Sequence, residues 1–361
     1  MRALFVFAFL LFPFLMLAQL SGTVRDDLDG RPIPHVNVFL NGTSYHTVTD
    51  EKGHFLLDVP GYISTELIFN HLSYIEHTIA DPFNADISQV LMSVKDNLLQ
   101  EVVTPPDRFS RKDKLKAFRT FFLGNTKAAK ECVIRNEKDI MLKFIDDGHR
   151  FTAVSLDPII IDNPYLGYEL HFNLSDFLVI FSSNSLKESK SVEILCEGTC
   201  FFIDKQPGVA RYEKRRRDIY LSSSAHFFRS LLTNGTELSQ YEIRAAGFPS
   251  PGIVKPYDYF SVQDTLHWKR ISIDTIASEK KISFLRENNK ATPFEDAKTY
   301  GAVELHEKKG RSGMLFLSES FLVDTYGNLL STDDVVLAGK MLEQNIGAIL
   351  PLNYQPPKSK Q

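Results

Sequence analysis

The chain has 361 residues, with 43% hydrophobic and 24% charged residues and a formal net charge of −4. That composition is ordinary for a globular protein, and the length allows two or three domains. The mild acidity argues against general nucleic-acid binding. The one basic cluster, Lys214-Arg215-Arg216-Arg217, is bracketed by Glu213 and Asp218 and reads as a solvated surface.

The chain opens with Met1-Arg2, then an almost wholly apolar run from Ala3 to Leu17, then Ala18-Gln19. This is the layout of a signal peptide over residues 1–18. The run is shorter than the ~20 apolar residues that span a bilayer, and no second run of that length follows. The mature chain is therefore expected to have no integral membrane span. It would be exported to the periplasm, the outer-membrane periphery or the medium.

Residues 19–95 read as a β-sandwich. Val36, Val38 and Leu40 alternate with His35, Asn37 and Phe39, the period of a half-buried strand. Asn41-Gly42 and Asp50-Glu-Lys-Gly53 supply turns, and Phe55-Leu-Leu-Asp-Val59 resumes as a strand. Residues 96–112 read as a polar linker.

The stretch 113–255 reads as a mixed α+β domain. Leu115, Phe118 and Phe122 predict an amphipathic helix over residues 112–123, with Gly124-Asn125 ending it and Thr126 capping a shorter one. Strands are expected at 140–144, 151–154, 159–161, 168–172 and 177–181, and a further helix at 222–232. Residues 256–355 read as a β-rich region with a hairpin at Tyr326-Gly-Asn, followed by a polar tail at 356–361. The fold class is mainly β, or α+β.

Ser21-Gly-Thr-Val-Arg-Asp, Gly30-Arg-Pro-Ile-Pro-His-Val-Asn-Val and Thr49-Asp-Glu-Lys-Gly-His-Phe resemble the carboxypeptidase-regulatory-like domain, a transthyretin-type sandwich. That resemblance implies a non-catalytic module, found at the front of secreted and outer-membrane proteins of the Bacteroidetes and proposed to bind carbohydrate or mediate assembly. Leu98-Leu-Gln-Glu-Val-Val103 is similar to the segment that follows this sandwich in TonB-dependent receptors. A barrel of about 22 strands would fill nearly all the remaining chain, which lacks the repeated alternation. A transporter is therefore not expected.

Phe122-Leu-Gly, Asp162-Asn163 with Leu166-Gly-Tyr168, His226-Phe-Phe-Arg-Ser-Leu231 and Ile349-Leu-Pro-Leu-Asn-Tyr354 resemble an extension that follows the sandwich in a Bacteroidetes group with no established activity.

No His-Glu-x-x-His, Gly-x-Ser-x-Gly or phosphate-loop pattern occurs, so no metal, cofactor or catalytic residue is expected. Ser222-Ser-Ser-Ala-His226 is better explained by capping and core packing than by nucleophilic catalysis. Asp157, Asp162, Glu169 and Asp176 could supply the two carboxylates that a hydrolase of glycan or peptide would need. Cys196 and Cys200 either form a disulfide across a Gly turn, as an oxidising compartment allows, or merely flank that turn.

The binding candidates are the aromatics Tyr257, Tyr259 and Phe260, with Trp268, Tyr165 and Tyr168, placed to stack on sugar rings or anchor a partner. The leading expectation is a non-enzymatic envelope module for a protein partner or glycan. The alternatives are a hydrolase and a TonB-linked accessory protein.

Overall fold

The structure, a computed structural model, describes residues 18–95, 108–233, 241–245, 260–265, 268–273, 300–307, 310–343 and 345–357. The apolar leader up to residue 17, the segment 98–103 and Tyr257 and Tyr259 lie outside the described residues.

The first unit contains β1 (Ala18–Asp26), β2 (Asn37–Leu40), β3 (His46–Val48), β4 (His54–Val59), β5 (Leu67–Asn70), β6 (His77–Ile79) and β7 (Gln89–Met92). They form two sheets, ordered β4-β1-β7 and β3-β2-β5-β6. In β4, Phe55, Leu57 and Val59 are buried and the residues between them are exposed, as a sheet with one wet face requires. Gly53 holds φ at +73°, and an added Cβ would lie 2.5 Å from the Val24 carbonyl oxygen. Only glycine fits that turn.

Strand β2 departs from simple alternation. Phe39 is buried as deeply as Val38, because the outer face of this sheet is covered. Phe39 and Ile68 pack against Phe201 from the second unit.

That second unit holds α1 (Arg111–Leu123), α2 (Lys127–Glu131), β8 (Val133–Ile134), β9 (Met141–Ile145), β10 (Arg150–Val154), β11 (Ile159–Asn163), β12 (Tyr168–Phe181), β13 (Ser191–Asp204) and α3 (Ala210–Tyr220). Ser110 caps α1 and Thr126 caps α2, each accepting an N–H bond from three residues on. The apolar stripe of α1 lies on the six-stranded sheet, with Phe118 edge-on to Phe177 at 5.0 Å and Phe122 edge-on to Phe172 at 5.2 Å.

Where two strands were expected at 168–172 and 177–181, β12 is one, continuous through a bulge between Leu174 and Asp176. Its partner β13 corrects the disulfide expectation. Cys196 and Cys200 lie in one extended strand, with Gly198 paired to Leu174 and not in a turn. Four residues of strand span about 13 Å, well beyond the ~7 Å Cα limit for a bridge. Both thiols are free.

The third unit begins with α4 (Ser224–Leu232), followed by β14 (Glu242–Ala245), β15 (Phe260–Asp264), β16 (Lys269–Ile273), β17 (Gly301–Glu307), β18 (Gly310–Phe316), β19 (Ser320–Val323) and β20 (Val335–Gly339). The sheets β14-β17-β18-β20 and β15-β16-β19 share one core with α4. Phe227, Phe228 and Ile243 therefore belong with Phe260, Phe316 and Phe321. The third unit starts near residue 222, so the boundary expected at 255 cuts through its core. The hairpin at Tyr326-Gly-Asn forms, closed by the Asp324 N–H donating to the Asn328 carbonyl at 3.0 Å.

Residues 345–354 then leave the third unit and run back across the other two. The Gly347 N–H donates to the Leu123 carbonyl (3.0 Å), and the Leu352 N–H donates to the Gly42 carbonyl (2.8 Å). Asn163 Nδ2 donates to the Gly347 carbonyl at 3.0 Å. This strap joins α1, β11 and the sandwich.

Candidate functional site

The strap lines a half-open cavity of about 290 Å³ where the three units meet. Its walls include Asn41, Gly42 and Thr65 of the sandwich, Phe202 of β13, Tyr220 of α3, Ser223–Ala225 at the start of α4, Tyr326 and Asn328 of the hairpin, and Ile349–Leu352 with Tyr354 of the strap. The lining is mostly apolar and aromatic, with a few amides and hydroxyls. That is the usual make-up of a small-ligand site.

Among the described residues, no carboxylate, imidazole, thiol or cationic side chain lines it. Burial first of all, with Tyr45 beside it, pushes the Tyr326 phenol up to about 12. Burial raises the Tyr354 phenol as well. Both are neutral hydroxyls at physiological pH. Tyr354 Oη is fully buried and meets no hydrogen-bond partner. An unsatisfied buried hydroxyl costs about 1–3 kcal/mol.

Two charged clusters hold the surroundings in place. Arg216, expected in a solvated patch, is 1% exposed. Its Nη1 and Nη2 each donate to Asp204 at 2.8 Å, and its Nε donates to the Leu166 carbonyl at 2.8 Å. Its guanidinium lies 3.9 Å above the Tyr168 ring. The bidentate pair and the stacking are geometry that lysine would not supply. The signal was present in the sequence: Tyr212, Arg216 and Tyr220 recur every four residues on the buried side of α3.

The second cluster centres on Glu169, which is buried beside Arg135 (2.9 Å), His171 (2.9 Å) and Lys205 (3.0 Å). Burial pushes its carboxyl up, but hydrogen bonds from His171 and Lys205 and the charge of Arg135 outweigh it and hold it at about 2. Asp162, opposite Glu169 across the β11–β12 pair, shares Arg135. A carboxyl held that low makes a poor general acid near neutral pH. Asp157 lies in an exposed loop and Asp176 is exposed beside the β12 bulge, so the four candidate carboxylates do not form one site.

The aromatic candidates are not gathered either. Phe260 is 1% exposed in the third core, which removes it as a binding surface. Tyr168 is buried under Arg216. Tyr165 is half-buried beneath Arg215 at 4.3 Å. Trp268 is half-buried edge-on to Tyr62 of the sandwich at 5.4 Å, where it helps join two units.

Ser223 caps α4 by accepting the His226 N–H at 3.1 Å, and His226 is buried with Nδ1 2.6 Å from Tyr241 Oη. The serine–histidine motif thus serves capping and packing. Burial raises the Cys132, Cys196 and Cys200 thiols to about 12, the opposite of the shift that a nucleophilic cysteine needs.

Residues 20–104 match the CarboxypepD_reg-like domain, and the sandwich is a domain of that type, a non-catalytic module. A TonB-dependent receptor P3 from Formosa agariphila is 34% identical over 85 residues, which make up 24% of this chain and 8% of the receptor. Among solved structures, a 9R-lipoxygenase from Cyanothece PCC8801 aligns at 12% identity over 62% of this chain and 47% of that chain. Its TM-score is 0.18, too low to carry an argument. Among the described residues, no helix is long and apolar enough to cross a membrane.

Proposed function

We propose that this chain is a non-enzymatic, envelope-associated binding module whose ligand occupies the cavity beneath the C-terminal strap. The observation that carries the reading is a mostly apolar and aromatic cavity lined, among the described residues, by no carboxylate, imidazole, thiol or cationic side chain. Such a lining suits binding and orienting a ligand, and its hydroxyls have no ionisable neighbour in the lining, among the described residues, to activate them. Its size and its aromatic walls suit one sugar ring or a comparably small ligand with an apolar face and a hydroxyl. The CarboxypepD_reg-like sandwich and the similarity to part of an outer-membrane receptor support an envelope location.

A soluble-glycan array probed with the full chain tests the reading. Saturable binding without chemical change of the ligand is expected. Ala225→Trp, which places a large side chain in the cavity wall, is expected to weaken it at least about tenfold. Shortening of any bound polymer, or equal binding by Ala225→Trp, would overturn it. A second reading, a TonB-linked accessory role for residues 98–103, is favoured by the receptor similarity. Deleting those six residues should then abolish envelope co-purification while leaving glycan binding intact.

A further inference from the structure

We propose that the open edge of β13 is a docking surface for an extended segment of a partner protein, alternately apolar and basic, which adds to the sheet as a further strand. Near its C-terminal end this edge already pairs, through one isolated bridge, with the turn of the sandwich that follows β2. The Gly42 N–H donates to the Cys200 carbonyl at 2.7 Å, and the Phe202 N–H donates to the Thr43 carbonyl at 2.8 Å. A parallel bridge joins Thr43 to Phe201.

The N-terminal half, from Glu193 to Thr199, pairs with β12 on one side and with no strand on the other among the described residues. Residues 194, 196 and 198 share the phase of Cys200 and Phe202, so their N–H and C=O groups point outward, unpaired with any strand. The stretch carries no proline or lysine, the usual guards of an edge. Val192, in a bulge opposite Ile180 and Phe181, ends it.

The side chains specify the partner's character. Ile194, 52% exposed, and Cys196 lie on the helix-covered side, opposite Val179 and Phe177. Glu193 and Glu197 lie on the other side, with Asp176 opposite Glu197. None of these three carboxylates has an ion pair among the described residues. A strand laid along this edge meets apolar neighbours on one face and carboxylates on the other, and like charges on one face of a pair repel. A second copy of β13 would bring its own Glu193 and Glu197 to that acidic face. A basic strand complements it.

The test is binding of a synthetic heptapeptide of alternating valine and lysine to the full chain. Saturable binding that weakens with added salt is expected. Ile194→Pro removes an outward N–H without touching the ladder to β12, and Glu193→Lys with Glu197→Lys reverses the face charge on an intact backbone. Each variant should bind about tenfold more weakly, and the double variant should instead capture a valine–glutamate peptide.

No binding by the unaltered chain would overturn the proposal, as would equal affinity in the double variant. So would a dimer in sedimentation that Ile194→Pro dissolves. If Ile194→Pro fails to fold, the charge-reversed variant decides. Glycan binding in the cavity should be unaffected by either variant, which separates this proposal from the cavity reading.

Discussion

In the sandwich, Val24, Val38, Phe55, Leu57 and Phe69 come from strands adjacent in sequence, and one core buries them all. The cavity draws its walls from residues as far apart as Asn41, Phe202, Tyr220, Tyr326 and Tyr354. The first region closes through local alternation and tight turns. The second exists only because the strap crosses two other units and Arg216 anchors α3 against β13. A local pattern thus makes a stable module, while a site made of distant segments depends on a few long-range ties.

The largest break in that comparison should come from Arg216→Met. It strands Asp204 and the Leu166 carbonyl without their donor, and removing one partner of a buried charge pair costs about 3–5 kcal/mol. Denaturant unfolding should show the loss. Hydrogen exchange should show amides of the strap opening while those of Phe55–Val59 stay protected. Equal loss of protection in both regions would mean that the sandwich leans on the junction as well.

Gly347→Ala should cost less and act only on the strap. An added Cβ would sit 2.6 Å from Ala129 Cα and 2.7 Å from the Leu123 carbonyl oxygen. Overpacking of this kind costs about 1–3 kcal/mol. Ligand binding in the cavity should fall while the sandwich transition stays in place. An unchanged melting curve would show that the strap shifts freely.

The smallest effect sharpens the comparison through pH. The Glu169 carboxyl is held at about 2 against an ordinary 4.5. It binds protons less readily folded than unfolded, so its stabilisation is fully present above about pH 4.5 and fades as pH falls toward about 2. Arg135 and Lys205 are about half-exposed, so screening limits the contribution to about 1 kcal/mol. Glu169→Gln should flatten the acid limb of stability between those pH values. Superimposable limbs would place the acid sensitivity elsewhere.

The β4 strand, the Thr126 cap, the Asp50–Gly53 turn and the Tyr326 hairpin were all legible in sequence, because each depends on neighbours within a few residues. Helix α3 was hidden by its charge. A run of four basic residues reads as surface, yet one arginine of that run is turned inward by helical phase onto Tyr168 and Asp204. Cys196 and Cys200 suggested a turn because Gly198 lies between them, but fourteen residues of β12 continue past it and keep β13 extended. Tyr354 carried a sequence signal only as part of the Ile349–Tyr354 motif, without any hint of what it faces.

The sequence by itself determined the sandwich, helices α1, α2 and α4, the strand character of β9 to β12, and the absence of recognisable catalytic motifs, because periodicity and turn chemistry act over short range. The tertiary structure alone decided that Phe39 is sealed by Phe201, that Arg216 is buried, that the strap lines a cavity, and that half of β13 meets no second strand among the described residues. Those features depend on which distant surfaces meet, and burial, pairing and charge compensation are properties of that meeting.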